Sequence, residues 1–139
     1  MNHIEKVKEL GLRTNQFVLV GGSVLDIHKI RKSDDIDVVV STEAFEELKK
    51  RGWELDEEFK SKWGRERLKN DVFEVVTGLN FEYCNYIMPF EILFDLSQVI
   101  DGVHVQPLGM LLLGKKDIGR EKDLKDIELI ENFFGVHLE

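Results

Sequence analysis

The sequence predicts an α/β (α+β) fold, in which helices flank a mixed central β-sheet and further helices stand at the C-terminal end. Short apolar runs rich in β-branched residues alternate with helical stripes, which is typical of such a sheet. Two consecutive runs near the middle of the chain suit a β-hairpin, and the stretch after Pro107 has helical spacing only. At 139 residues, the chain is expected to form one domain over residues 1–139.

Hydrophobic spacing and the residues that begin or end helices define the individual elements. The predicted helices cover residues 3–12, 24–30, 42–51, 90–100, 107–116 and 120–134. The predicted strands cover residues 17–20, 35–40, 72–77, 81–88 and 103–105. Gly78-Leu79-Asn80 is expected to be a hairpin turn and 103–105 an edge strand, while the charged segment 53–71 has no readable pattern.

For two of these elements, the sequence also predicts which faces are buried. Three consecutive valines at 38–40 indicate a strand that is buried on both faces and central in the sheet. The last helix is expected to bury one apolar stripe and to end at Gly135. That stripe consists of Leu124, Ile127, Ile130, Phe133 and Phe134.

Composition limits the partners and the compartment. The formal net charge of −8 argues against general attraction to nucleic acid, because that binding depends on Lys and Arg at phosphates. A cluster of cations around Trp63 suits contact with RNA or a triphosphate or, more commonly, a solvated face. Its members are Lys60, Lys62, Arg65, Arg67 and Lys69. A single cysteine, no signal-peptide core and no membrane-length apolar run predict a cytoplasmic protein with no membrane partner.

The first candidate for function is the turn Gly21-Gly22-Ser23, which follows the apolar run 17–20. A strand that leads directly into a helix presents free amide groups and the positive end of the helix dipole to an anion. We therefore expect the amides of Gly21, Gly22 and Ser23, with the Ser23 hydroxyl, to bind phosphate. Ser23 lacks the following glycine of a Gly-x-Ser-x-Gly elbow, which favours phosphate contact over a nucleophile.

Two acidic residues open the second apolar strand. Asp35 and Asp37 lie two positions apart, so a strand places both carboxylates on one face while Ile36 points to the other. Neighbouring carboxylates at the start of a buried strand repel each other and lose hydration, which is costly unless a cation lies between them. Together with the glycine turn, the pair predicts a magnesium and nucleotide site.

In this order, Gly21-Gly22-Ser23, Asp35-Ile36-Asp37 and Phe73-Glu74-Val75 resemble the motifs of the nucleotidyltransferase superfamily, to which DNA polymerase beta belongs. The likeness is closest to small stand-alone prokaryotic members such as the AbiEii-type nucleotidyltransferases. It extends to residues 119–127, which look like the charged helix start of many of these proteins. The acids precede the apolar part of their strand, which excludes phosphatases of the haloacid dehalogenase type and many sugar-nucleotide transferases, because in those proteins the acidic pair follows the strand.

The resemblance implies magnesium-dependent transfer of a nucleoside monophosphate from a nucleoside triphosphate to an acceptor hydroxyl, with release of pyrophosphate. It implies that Asp35, Asp37 and Glu74 are catalytic and hold two Mg²⁺ ions. Glu74 stands where the family more often has Asp, and Asp71 is the alternative third acid. The hypothesis requires the three acids to converge beside the glycine turn, with no lysine or arginine already neutralising them.

Cations near the C-terminal helices are further candidates for nucleotide contact. Lys116 and Arg120, together with Lys115, could meet a triphosphate tail, whereas helix capping and surface pairing are the ordinary alternatives. The stretch 109–116 imitates a Walker A loop, but it lacks the final Ser or Thr. Its Met-Leu-Leu-Leu core suits a buried helix turn, so we reject a phosphate loop there.

Two classes of function fit these features. The first is an enzyme that acts on a nucleoside triphosphate and an unidentified acceptor, which could be a small molecule, tRNA or protein. The alternative is a non-catalytic nucleotide- or partner-binding module, such as a degenerate transferase or a toxin–antitoxin component. Because the chain is short, acceptor recognition by another subunit of a homo-oligomer is also open. The presence of all three acids favours the enzyme.

Overall fold

The structure is a computed structural model that describes residues 1–82 and 84–135; residue 83, inside the predicted strand 81–88, lies outside them. The described helices are α1 (His3–Lys8), α2 (Gly22–Ile27), α3 (Thr42–Lys50), α4 (Glu57–Trp63), α5 (Phe90–Leu96), α6 (Leu108–Ile118) and α7 (Glu121–Phe134). The described strands are β1 (Phe17–Val20), β2 (Ile36–Val40), β3 (Glu54–Leu55), β4 (Leu68–Asn70), β5 (Phe73–Val76), β6 (Gly78–Phe81), β7 (Tyr86–Pro89), β8 (Gln98–Ile100) and β9 (Val103–Val105). None of the helices in this part of the chain is both long enough and apolar enough to cross a membrane.

Seven strands form one mixed sheet in the order β3-β4-β5-β2-β1-β9-β8. β2 is central, as its valines predict, and it runs antiparallel to β1 and parallel to β5. β6 and β7 form a separate antiparallel ribbon. Helices pack against both faces of the sheet, and α6 and α7 close the described chain. The predicted fold class, a mixed central sheet flanked by helices with C-terminal helices, is therefore confirmed.

The alternation of side chains along the strands divides the core into two faces. On the first face, residues such as Val38 and Val75 pack with helices that include α1, α2 and α3. On the second face, Val39 packs with α5 and with the β6–β7 ribbon. Asp37 and Glu74 each precede a first-face valine in their strands. Both acids therefore point to the second face of the sheet.

Several predicted elements are wrong in type or place. The run 78–80 belongs to β6, because Gly78 pairs with Pro89 at a point where an added side chain would meet a β7 carbonyl oxygen at 3.0 Å. β9 is not at the edge, since it pairs with both β1 and β8. β8 itself occupies the end of the predicted helix 90–100, and the segment 53–71 contains β3, α4 and β4. At Gly78, the glycine allows two strands to approach each other closely and does not form a turn.

The last helix matches its predicted bounds but buries a different face. Leu124 and Phe133 of the predicted stripe are 57% and 53% exposed, whereas Ile130 is fully buried. The buried face carries Asp123 and Asp126 instead. Charged residues are buried when they have partners, and both aspartates contact cations on neighbouring segments. The apolar stripe prediction fails because these ion pairs determine which face of α7 is buried.

Candidate functional site

A cleft of about 910 Å³ opens where the second face of the sheet meets β6, α6 and α7. Six predicted site residues line it: Gly21, Gly22, Asp35, Asp37, Glu74 and Arg120. Although the chain has a net charge of −8, cations outnumber acids in the lining. The cationic side chains are Arg31, Lys32, Arg65, Arg67, Lys115, Arg120, Lys122 and Lys125. The acidic side chains are Asp34, Asp35, Asp37, Glu74, Asp123 and Asp126.

The part of the lining that we term the acidic wall consists of Asp35, Asp37 and Glu74. β2 and β5 run parallel with Asp37 directly beside Glu74 in the register of the sheet. Side chains at matched positions of adjacent strands leave the sheet on the same face. Asp35 immediately precedes β2 and is exposed. The fold thus brings all three predicted acids to one cleft.

Asp37 has the most perturbed carboxyl group of the acidic wall. Burial raises the pKa of Asp37 most, the charge of Glu74, a hydrogen bond with Glu74 and the charge of Asp35 add to the effect, Arg67 opposes it, and together they bring the pKa to about 7. Two carboxyl groups in contact do not readily ionise together, which favours the protonated form of Asp37. A cation placed between them can take over the role of that proton. The pair is therefore electrostatically suited to a metal ion.

Arg67 connects the acidic wall to α4. Its guanidinium group lies 3.2 Å from Glu74 Oε2 and 2.6 Å from Asp56 Oδ2, and it stacks 4.4 Å from the centre of the Phe59 ring. The hydrogen bond from Arg67, together with one from the backbone amide of Phe59, holds the pKa of Asp56 below its ordinary value. An arginine therefore already contacts Glu74, which goes against one requirement of the metal hypothesis. Asp37 has no ion pair with any lysine or arginine in the described chain.

The glycine turn lies directly beside Asp37. Gly21 has φ +62° and ψ −136°, a conformation that glycine adopts readily and other residues avoid. A Cβ atom at Gly21 would lie 2.8 Å from Asp37 Oδ2. The Gly21 amide donates to Oε1 of the buried Gln106 at 3.1 Å. Gly21 thus makes room for the acid, and its amide, one of the predicted phosphate donors, already has a protein partner.

Ser23 lies outside the cleft lining and is fully buried. Its hydroxyl is hydrogen-bonded to His3 Nδ1 at 2.8 Å, and His3 Nε2 donates to the Ser33 carbonyl oxygen at 3.0 Å. A Cβ atom at Gly22 would lie 2.6 Å from Ser33 Oγ. His3 therefore ties the glycine turn to the loop before β2. Phosphate contact by the Ser23 hydroxyl stays a prediction, and this hydroxyl has a different partner in the structure.

The part of the lining that we term the ionic wall comprises two buried aspartates of α7 and their cations. Arg31 Nε lies 2.6 Å from Asp126 Oδ1, and Lys115 Nζ lies 2.9 Å from Asp126 Oδ2. Asp123 contacts Lys115 at 3.4 Å and Arg120 at 2.8 Å. The hydrogen bond from Arg31, aided by Lys115, lowers the pKa of Asp126 to about 2. The ionic wall is thus internally matched, with three cations on two carboxylates.

Four other cations of the cleft lack such partners. Within residues 1–82 and 84–135, none of them has an acidic side chain within ion-pair distance. They are Lys32, Arg65, Lys122 and Lys125. Burial lowers the pKa of Arg65, which is only partly exposed. These unpaired charges make the cleft attractive to a polyanion despite the acidic composition of the chain.

Two other predicted residues lie away from the cleft. Lys116 Nζ faces Glu131 Oε1 at 3.7 Å and does not line the cleft. Asp71, the alternative third acid, sits in a turn at φ +54° with Lys6 Nζ 3.7 Å from its carboxylate. It lines a separate surface cavity. Of the two candidate third acids, only Glu74 reaches the cleft.

Sequence reasoning missed several residues that shape the site. Arg67 was visible only as one member of the charged cluster around Trp63. Asp123 and Asp126 lie three apart in the stretch 119–127, a spacing that marks one helix face and could have indicated a paired charge site. No local sequence pattern identifies Arg31 as a site residue, because its partner Asp126 is 95 positions away in the chain.

As they stand, the described side chains contain no group of three His, Cys, Asp or Glu residues arranged to hold a metal ion. Asp35 and Asp37 are nevertheless hard oxygen donors of the kind that Mg²⁺ prefers, with water and substrate oxygens completing its shell. Comparison with protein-family models, curated proteins and solved structures found no match for this chain. Any function must therefore be inferred from the chemistry of the cleft itself.

Proposed function

We propose that this chain is a magnesium-dependent nucleotidyltransferase. It would transfer a nucleoside monophosphate from a nucleoside triphosphate such as ATP to an acceptor hydroxyl and release pyrophosphate. The contact between Asp37 and Glu74, inside a cleft rich in cations, is the observation that carries the proposal. The order of the motifs, which resembles that of the nucleotidyltransferase superfamily, supports the same reaction.

The acidic wall fits one Mg²⁺ ion better than two. Asp35 and Asp37 are free of ion pairs with the described cations and could both act as ligands. Glu74 could join them for a second ion only if Arg67 moved away from it, because the two are 3.2 Å apart. When bound, Mg²⁺ would neutralise the phosphates and lower the pKa of the acceptor hydroxyl.

The cations of the cleft are suited to the triphosphate. Lys32, Lys122 and Lys125 are exposed and unpaired, so they can meet phosphate oxygens without breaking an ion pair. Arg120 lies beside them in the lining, although it also holds Asp123. In the reaction, the acceptor oxygen bonds to the α-phosphorus as the bond to pyrophosphate breaks. The same cations offset the charge of the departing pyrophosphate.

The proposal is tested by pyrophosphate release with Mg²⁺, each nucleoside triphosphate and a mixture of candidate acceptors. Asp37→Asn is expected to reduce the rate at least about a thousandfold, because a metal ligand that stabilises the transition state by several kcal/mol is lost. Asp71→Asn is the matched control, since Asp71 carries the same carboxyl group outside the cleft at a positive φ that asparagine tolerates. Equal rates for wild type and Asp37→Asn would refute the assignment.

A nucleotide-binding module without turnover is the second candidate. The contact between Arg67 and Glu74 favours it, because this arginine already gives Glu74 the positive charge that a second metal ion would supply. Such a module would raise its melting temperature with Mg²⁺ and nucleoside triphosphate but release no pyrophosphate with any acceptor. In both cases the substrates and the single cysteine are consistent with a cytoplasmic protein.

A further inference from the structure

A second cavity, of about 400 Å³, continues from the cleft toward α4. The two cavities share Phe59, Arg65 and Arg67 in their linings, so they adjoin along these side chains. Arg67 also contacts Glu74 of the acidic wall. A molecule that extends along the second cavity can therefore bring its end to the acidic wall.

Aromatic rings and cations alternate in the second cavity. Trp63 is 37% exposed, and its ring centre lies 6.4 Å from that of Phe59. Lys62 Nζ lies 5.3 Å from the Trp63 ring centre, and Arg65 Cζ lies 5.7 Å from the Phe59 ring centre. Exposed rings beside cations are the elements with which proteins bind single-stranded nucleic acid, by stacking of bases and neutralisation of phosphates.

Arg65 is the key residue of this surface. It lines both cavities, is only partly exposed and has no acidic partner in the part of the chain that the structure describes. A partly buried guanidinium group without a carboxylate is costly, and an incoming phosphate would satisfy it. Asp56, which also lines the second cavity, is already paired with Arg67. The unpaired positive charge is therefore available to a ligand.

We propose that the second cavity binds the end of a single-stranded polynucleotide, whose terminal hydroxyl is the acceptor in the cleft. This inference rests on the proposed function and names its acceptor. The strand would gain one nucleotide: its terminal oxygen bonds to the α-phosphorus, pyrophosphate leaves and the hydroxyl proton passes to solvent. Because Glu58 and Glu82 also line the cavity and the chain is acidic, only the last few phosphates are held.

The test is fluorescence anisotropy of a labelled single strand of about ten nucleotides, as RNA and as DNA, against the full chain. Trp63→Ala is expected to weaken binding about five- to 150-fold, the range for loss of one stacked base. Trp63→Phe should retain most of the affinity, because a ring remains. Arg65→Gln should weaken binding about tenfold, whereas Lys60→Gln, an identical charge change on α4 outside both cavities, should not.

Three results would overturn the inference. They are equal affinity for a duplex of the same sequence, equal losses in the Arg65 and Lys60 variants, and no binding of single strands by wild type. Melting temperatures with Mg²⁺ and ATP, and pyrophosphate release with small acceptors, are measured in parallel. If nucleotide binding and turnover persist while single strands neither bind nor gain a nucleotide, the polynucleotide acceptor is refuted and the proposed function stands. If turnover is absent with every acceptor, the enzymatic function itself fails.

Discussion

The two walls of the cleft differ in how their charges are matched. In the ionic wall, Asp123 and Asp126 each contact two cations, so nearly buried carboxylates are satisfied as they stand. In the acidic wall, Asp37 lies against another carboxyl group, and only Glu74 contacts an arginine. The matched wall joins α6 and α7 to the loop that follows α2. The unmatched wall keeps a repulsion that a bound cation would relieve, as is typical of functional sites.

Of the substitutions in the two walls, neutralising an aspartate of the ionic wall is expected to lower the free energy of unfolding most. Asp126→Asn is expected to lower the free energy of unfolding by about 3 kcal/mol, because Arg31 and Lys115 lose a nearly buried carboxylate. Urea unfolding at neutral pH, followed by circular dichroism, measures the change.

Asp95→Asn is the control for this experiment, because Asp95 is exposed on α5 and the identical substitution should be nearly neutral. Asp37→Asn completes the comparison and should not destabilise the protein. A loss at Asp126 no larger than the change at Asp95 would contradict the view that the ionic wall holds the C-terminal helices.

The two walls can also be compared by varying pH. As pH rises, the contribution of the acidic wall to the free energy of unfolding falls, whereas that of the ionic wall increases. The pKa of Asp37 is raised from its ordinary 3.8 to about 7, so the folded state retains a proton that the unfolded state has lost. The free energy of unfolding therefore falls by a few kcal/mol from this group as pH rises from about 4 to about 7. The pKa of Asp126 is lowered to about 2, so its contribution is present above pH 4 and is lost as pH falls toward 2.

The difference between wild type and each variant isolates these contributions. Urea unfolding at intervals from pH 3 to pH 8 should show the decline above about pH 4 in wild type and not in Asp37→Asn. Mg²⁺ should restore stability increasingly as pH rises through about 7, because it competes with the proton that Asp37 retains. A parallel pH dependence in wild type and Asp37→Asn would show that the two carboxyl groups are not coupled.

Local patterns predict much of the fold, because they depend on nearest neighbours in the chain. The three valines of β2 are such a signal, and the structure places this strand at the centre of the sheet. The identity of the buried face of α7 depends instead on Arg31, whose partner Asp126 is 95 positions away. No local pattern contains that information, so the apolar stripe does not predict which face of α7 is buried.

The same distinction between local and long-range information explains which parts of the candidate site could be predicted. Asp37 and Glu74 meet because β2 and β5 pair in register, and the strand period alone predicts the faces but not the register. Arg67 reaches Glu74 from outside the predicted elements, since the segment 53–71 had no readable pattern. From the sequence, its charge suits either contact with RNA or a triphosphate or a solvated face. The sequence therefore indicates which acids matter but not which cation already contacts one of them.

Lys115 and Lys116 provide the smallest and most closely matched comparison. Lys115 lies in the ionic wall, whereas Lys116 forms a longer and partly exposed pair with Glu131. Lys116→Gln should change the free energy of unfolding by less than about 0.5 kcal/mol and leave the ATP-induced thermal shift unchanged. Lys115→Gln should cost about 1 kcal/mol more and reduce that shift, because Asp126 then keeps only one cation. The two substitutions are chemically identical on adjacent residues of α6, so equal effects would show that contact with the buried aspartates gives Lys115 no special role.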